Sequence, residues 1–215
     1  MKPVSDLYGT CTGRDIYVLG SGPTLGYIDP GFFVQKITIG VNDVWRAYPC
    51  DYVVCKEHHA AIDAAQAGKT VVVARYHCGD TTGNRLDGFG GYVFEHEHNR
   101  LQQIDWSVLD RSDHLVVSYS TITSAIHLAA RMGASNIILV GHDCGTLDGM
   151  QNYDGYPPSP LGATFYDGFL NDIELQTVAL RERLQQKYGC QIVSLNPFVN
   201  VGLEGHIYKR SGARS

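Results

Sequence analysis

The tightest constraint on the fold is a helical repeat that runs straight into an uninterrupted apolar strand. Ile122, Ala125, Ile126, Ala129 and Ala130 recur at helical spacing, and Gly133 suits the left-handed position just past a helix end. Asn136–Gly141 (NIILVG) follows, apolar at four successive positions. Such a strand buries both faces, as it does in a parallel sheet covered by helices. The same alternation recurs elsewhere. Strands are predicted at Asp15–Gly20 (DIYVLG), Lys36–Val41 (KITIGV), Asp51–Cys55 (DYVVC), Thr70–Arg75 (TVVVAR) and Cys190–Leu195 (CQIVSL), with shorter ones near Tyr92–Phe94 and at Leu115–Ser118. Helices are predicted from Glu57 to Ala67 and from Tyr166 to Tyr188, the second with Phe169, Ile173, Leu180 and Leu184 on its apolar face. Strands separated by helices imply right-handed crossovers. The expected fold class is α/β: a Rossmann-like, mostly parallel sheet with helices on both faces. Residues 1–215 are expected to form a single domain, with 76–112 and 144–165 as loop insertions.

Composition removes several function classes. Lys and Arg number 17 and Asp and Glu 22, so the net charge is 17 − 22 = −5. A broad basic footprint for nucleic acid is not expected. No apolar run approaches the ~20 residues of a membrane span, and the opening MKPVSDLYGTCTGRD has no apolar core of a signal peptide. The six cysteines form no CxxC pair, which reads as reduced thiols in a cytoplasmic protein. The 24 glycines imply many left-handed turns or close backbone approaches, as loops that line a ligand need.

Ligands of open parallel sheets sit beyond the carboxyl ends of the strands, so the informative residues follow each strand. After the first predicted strand come Gly20, Ser21, Gly22, Pro23 and Thr24. Two glycines bring backbone N–H groups near an anion, and Ser21 and Thr24 add hydroxyl donors. The third glycine of GxGxxG is missing, and no Gly-Lys-Ser/Thr follows. The turn therefore reads equally as a phosphate cradle or as a device for close packing. Asn42 and Asp43 end the next strand. Asn42 suits either a ribose or base edge or a helix cap. Lys56 then offers a cation for phosphate, and His58 a proton carrier; both also suit a polar helix start. Ser118–Ser124 puts five hydroxyls at a helix N-terminus, among them Thr123 and Ser124, where caps and anion donors are both served. His142 and Asp143 close the strand Asn136–Gly141. Asp143 is the leading candidate for a sugar hydroxyl or a magnesium ion. Asp148 suits either a shared metal or an Asp-Gly turn. Glu95-His96-Glu97-His98 alternates as two imidazoles on one strand face would, but no third ligand stands at diagnostic spacing.

Taken together, GSGPTLGYID, GVND and STITSAIHLAARMGASNIILVGHDCG resemble one superfamily. It contains Campylobacter-type sialyltransferases, the motility accessory factors that glycosylate flagellin, and archaeal hydroxymethylpterin diphosphokinase-like proteins. The resemblance runs from Asp15 to Pro197 and leaves out the middle, 76–112. It implies a transferase that binds a nucleotide's phosphates at the first turn, with a CMP-linked sugar as donor in the sialyltransferase branch. In that branch an Asn stands where this chain has Ser21. Asn42, Thr123, Ser124 and Asp143 match the pattern, whereas an Arg near Thr121 and a catalytic His before the last long helix are absent. Asp167, Asp172 or His142 would then serve as base. The diphosphokinase branch implies ATP and Mg²⁺ on Asp143 and Asp148. Three functions are therefore expected to compete. One is a glycosyltransferase that uses a CMP-linked sugar. Another is a Mg²⁺-dependent diphosphokinase acting on a pterin-like alcohol. The last is a non-catalytic nucleotide-binding module. A small-molecule nucleotide is the expected partner, and a homo-oligomer is compatible with it.

Overall fold

The structure is a computed structural model, and it describes residues 1–76, 90–96, 104–117, 120–157 and 163–195, without the side chains of 163–171. Eight strands form one sheet: β1 (Lys2–Pro3), β2 (Asp15–Leu19), β3 (Ile37–Val41), β4 (Tyr52–Cys55), β5 (Thr70–Ala74), β6 (Tyr92–Phe94), β7 (Asn136–Val140) and β8 (Gln191–Ser194). Their order across the sheet is β1-β6-β5-β4-β3-β2-β7-β8, and every pair is parallel. The helices are α1 (His58–Gln66), α2 (Thr121–Arg131) and α3 (Ala163–Tyr188). This is the doubly wound α/β arrangement expected from the apolar runs.

The pleat explains how the two faces are covered. Successive side chains of a strand point to opposite faces. Val53, Cys55, Val71 and Val73 bury against Ala60, Ala61 and Ala64 of α1. Their alternates Val54, Val72 and Ala74 join the main core with Ile122, Ile126, Leu180 and Leu184 of α2 and α3. So α1 covers one face, and α2 with α3 covers the other. The Ile173, Leu180 and Leu184 stripe predicted for the last helix is buried, and Gly189 closes that helix at φ +69°.

Strand ends fall within one or two residues of the sequence reading, with two departures. Leu115–Val117 is buried, yet among the described residues it pairs only through the bridge between Glu95 and His114, because Val116 gives its N–H to His127 and its carbonyl accepts the Ser124 hydroxyl. The predicted strand there is an edge segment. The chain also opens with β1, beside β6. Of the two predicted insertions, 76–112 contains β6 and a 3-10 helix at Trp106–Asp110, and 144–165 contains a tight hairpin at Leu147–Met150; residues 77–89, 97–103 and 158–162 lie outside the described part.

From β2 the chain steps outward through β3, β4, β5 and β6, then returns to place β7 on the other edge of β2. The strand order therefore reverses between β2 and β7. A crevice beyond the carboxyl ends forms at such a reversal.

Candidate functional site

Register sets which residues meet at that reversal. Leu19 pairs with both Gly40 and Val140, and Val41 pairs with Val54. The residues that follow, Gly20–Ser21, Asn42, Cys55–Lys56 and Gly141–His142, thus leave the sheet at the same end. The candidate residues on these four strands therefore lie at one end of the sheet.

The glycines at the reversal serve close packing. A methyl group on Gly20 would lie 2.5 Å from Gly141 O and 2.9 Å from Ile122 Cδ1; one on Gly22 would lie 2.5 Å from Asp143 Oδ2. Gly141 itself has φ +63°, and its added carbon would lie 2.7 Å from Gly20 O. Two backbone bonds lock the approach: Gly20 N–H to Val140 O and Gly22 N–H to Gly141 O, both 2.7 Å. These amides are consumed within the fold. Pro23 then starts a 3-10 helix, Pro23–Tyr27, buried at its first three residues, where its missing N–H costs nothing.

Asp143 latches this turn. It is 2% exposed. Its Oδ2 accepts Thr24 N–H at 2.8 Å, and its Oδ1 accepts the Thr24 hydroxyl at 2.5 Å. Burial raises its pKa, and the two Thr24 bonds act against that rise. Asp143 is therefore a clasp between the β2 and β7 ends, 119 positions apart in the chain. Ser21 is held from a third side: its hydroxyl donates to Asn152 Oδ1 at 2.8 Å, and its carbonyl accepts Tyr153 N–H at 3.0 Å. Asn152 and Tyr153 carry no motif that sequence reasoning could single out.

The hydroxyls at the start of α2 turn inward. Ser120 caps the helix by accepting Ile122 N–H. Thr123 donates to Ser120 O at 2.9 Å, and Ser124 donates to Val116 O at 2.8 Å; both side chains are fully buried. Ile122 approaches the first turn at Gly20, whereas the Thr123 and Ser124 bonds are directed to backbone carbonyls within and before α2.

His142 is buried under α3. Its Nε2 lies 2.7 Å from Thr177 Oγ1, and Thr177 gives its one hydroxyl hydrogen to Ile173 O at 2.9 Å. The imidazole must then donate from Nε2, which leaves its lone pair on Nδ1. Burial, reinforced by Arg181, pushes the His142 pKa down to about 4, so the ring is neutral at pH 7. Cys144, at φ +50°, places its Sγ 3.9 Å from Nδ1. Its thiol is pushed up by burial, with Glu174 and Asp143 adding to the shift.

Asp148 and Gly149, at φ +53° and +78°, are the two central residues of the Leu147–Met150 hairpin, the backbone of a tight Asp-Gly turn. Among the described residues no group of three or more His, Cys, Asp or Glu side chains could hold a metal ion. Asp167 lies in the first half of α3 and His98 beyond β6, and the side chains of both fall outside the described part. His127 is a packing residue: its Nδ1 accepts Val116 N–H at 3.0 Å, and it has no exposed surface.

Two features at the β3 and β4 ends remain. Lys56, at the end of β4, is 9% exposed. Asn42 has φ +47°, and its Oδ1 is buried with no hydrogen-bond partner. An orphaned buried acceptor costs about 1–3 kcal/mol, a cost that a water or a ligand donor would remove.

No family model and no curated protein matches the chain. Among solved structures it is similar to the sialyltransferase CstII from Campylobacter jejuni, in complex with a substrate analogue, cytidine-5'-monophosphate. The identity is 12%, the TM-score 0.48, and the match covers 86% of this chain and 81% of that one. A likeness of that size carries no argument about function.

Proposed function

We propose that the chain binds a nucleotide at the β2–β7 reversal and acts as a glycosyltransferase with a CMP-linked sugar as its donor. The observation that carries the binding step is Asn42: a buried amide oxygen without a partner, on a left-handed residue, at the carboxyl end of the strand next to the Gly20–Gly22 turn. An exocyclic amine of a base, or a ribose hydroxyl, would complete it. Lys56 supplies the charge that a phosphate group needs, and Ser21 and the 3-10 helix opened by Pro23 wall the turn. Asp143 acts as a positioning residue through Thr24. His142, neutral and with its lone pair on Nδ1 3.9 Å from Cys144 Sγ, is the candidate base for the acceptor hydroxyl.

A second reading, a binding module without turnover, is favoured by the engagement of His142 with Thr177 and of Asp143 with Thr24. Product analysis separates the two, since only the first releases CMP. Binding itself is tested by thermal shift with CMP, CTP, ATP, UDP and GDP, with and without Mg²⁺. A ligand at about 100 times its dissociation constant stabilises by about 2.7 kcal/mol. A shift with CMP or CTP that is lost in Asn42→Ala is expected; a flat panel overturns the proposal.

A further inference from the structure

The opposite end of the sheet has a site of its own. A cavity of about 350 Å³ opens at the amino ends of β2 and β3, lined by Arg14, Asp15, Tyr17, Gln35, Lys36 and Ile37 among others. Arg14 and Lys36 both line it, and neither makes an ion pair among the described residues. The acid in the lining, Asp15, is engaged by Asn136, whose Nδ2 donates to it at 2.7 Å. Lys36 is held by rings: its Nζ lies 4.4 Å from the centre of Phe32 and 5.7 Å from that of Tyr17. Gln35 adopts φ +67°, uncommon for a residue with a side chain, as the chain leaves the 3-10 helix Pro30–Phe33 and enters β3. Two like charges that share one cavity repel each other, and an anion that accepts from both removes that cost. A guanidinium fork and an ammonium on one cavity match the oxygens of a phosphate. Tyr17 and Ile37 give the cavity an apolar wall for the organic part of such a ligand.

We infer that this cavity binds a small phosphorylated compound through Arg14 and Lys36. The site is separate from the nucleotide crevice: the five residues of β2, about 16 Å of strand, lie between them. The inference does not depend on the transferase reading.

Inorganic pyrophosphate is the probe, titrated calorimetrically into the whole protein without Mg²⁺ at low salt. Saturable one-to-one binding is expected. Both charged donors are lost in R14Q/K36Q, which is expected to weaken affinity by at least about tenfold. Arg14→Lys keeps the charge and loses the fork; a smaller loss is expected there, and it keeps the test open if the double variant misfolds. A second cavity, near the amino end of β5, holds Lys2 and Lys69 without ion pairs and serves as control. K2Q/K69Q is expected to bind within about twofold of the parent, since two lysines supply no guanidinium fork. Three results would overturn the site: no saturable binding, an equal loss in K2Q/K69Q, or a loss in Asn42→Ala, which would put the probe in the crevice instead. Binding to vesicles that contain phosphatidic acid, with none to free pyrophosphate, would overturn the soluble ligand.

Discussion

The two ends of the sheet handle polar groups in opposite ways. At the carboxyl end of β2 and β7, glycine backbones, Thr24, Asp143, His142 and Thr177 bond to one another in a space without room for an extra methyl group. At the amino end of β2 and β3, Arg14 and Lys36 stand at a cavity without carboxylate partners. The first end ties distant parts of the chain together, so change there is felt in stability. The second is tied to little, so change there is felt in binding.

The sharpest way to break this contrast is a matched pair of glycine substitutions. Gly22→Ala drives a methyl into Asp143 and strips Thr24 of its acceptor; the two effects together should destabilise by about 4 kcal/mol in urea unfolding. Gly68→Ala, at φ +77° beside the start of β5 with nothing within 4 Å, should cost only the left-handed backbone, about 1 kcal/mol. Equal losses would erase the distinction.

A pH series tests the carboxyl end next. Burial lowers the His142 pKa from 6.5 to about 4, so the folded state disfavours its protonation. The stability it contributes is complete above pH 6.5 and is lost as pH falls from there towards 4, by about 3 kcal/mol. His127, also buried and lowered well below its usual value, adds in the same direction. His142→Gln should flatten the profile between pH 7.5 and 4.5; an unchanged slope would mean that His142 takes up its proton freely. The smallest effect belongs to R14Q/K36Q, expected within about 0.5 kcal/mol of the parent in the same unfolding experiment.

The fold was legible because its strands are continuous apolar runs: β7 is four consecutive apolar residues that no turn interrupts. β1, two residues long, carries no period, and the 3-10 helices are too short to show one. At Leu115–Val117 an apolar run marked burial correctly but not pairing, because periodicity reports burial alone. The site was legible in position and less so in role. Glycines suit a phosphate and a close approach equally well; what distinguishes the two is a contact between Gly22 and Asp143, and local sequence does not encode such a contact. Arg14 and Lys36 went unremarked because a lone cation at a strand start looks like ordinary solvated surface.

The placement of β2 has a consequence for biosynthesis. It pairs with β3 about 20 residues later, but its other edge waits for β7, which begins at Asn136. On the ribosome, the half-sheet from β2 to β5 can assemble while that edge still presents unpaired amides and carbonyls to any passing chain. Emergence of Asn136–Asp143 both seals the edge and fastens Thr24, so commitment of the nascent protein waits for that segment and comes in one step.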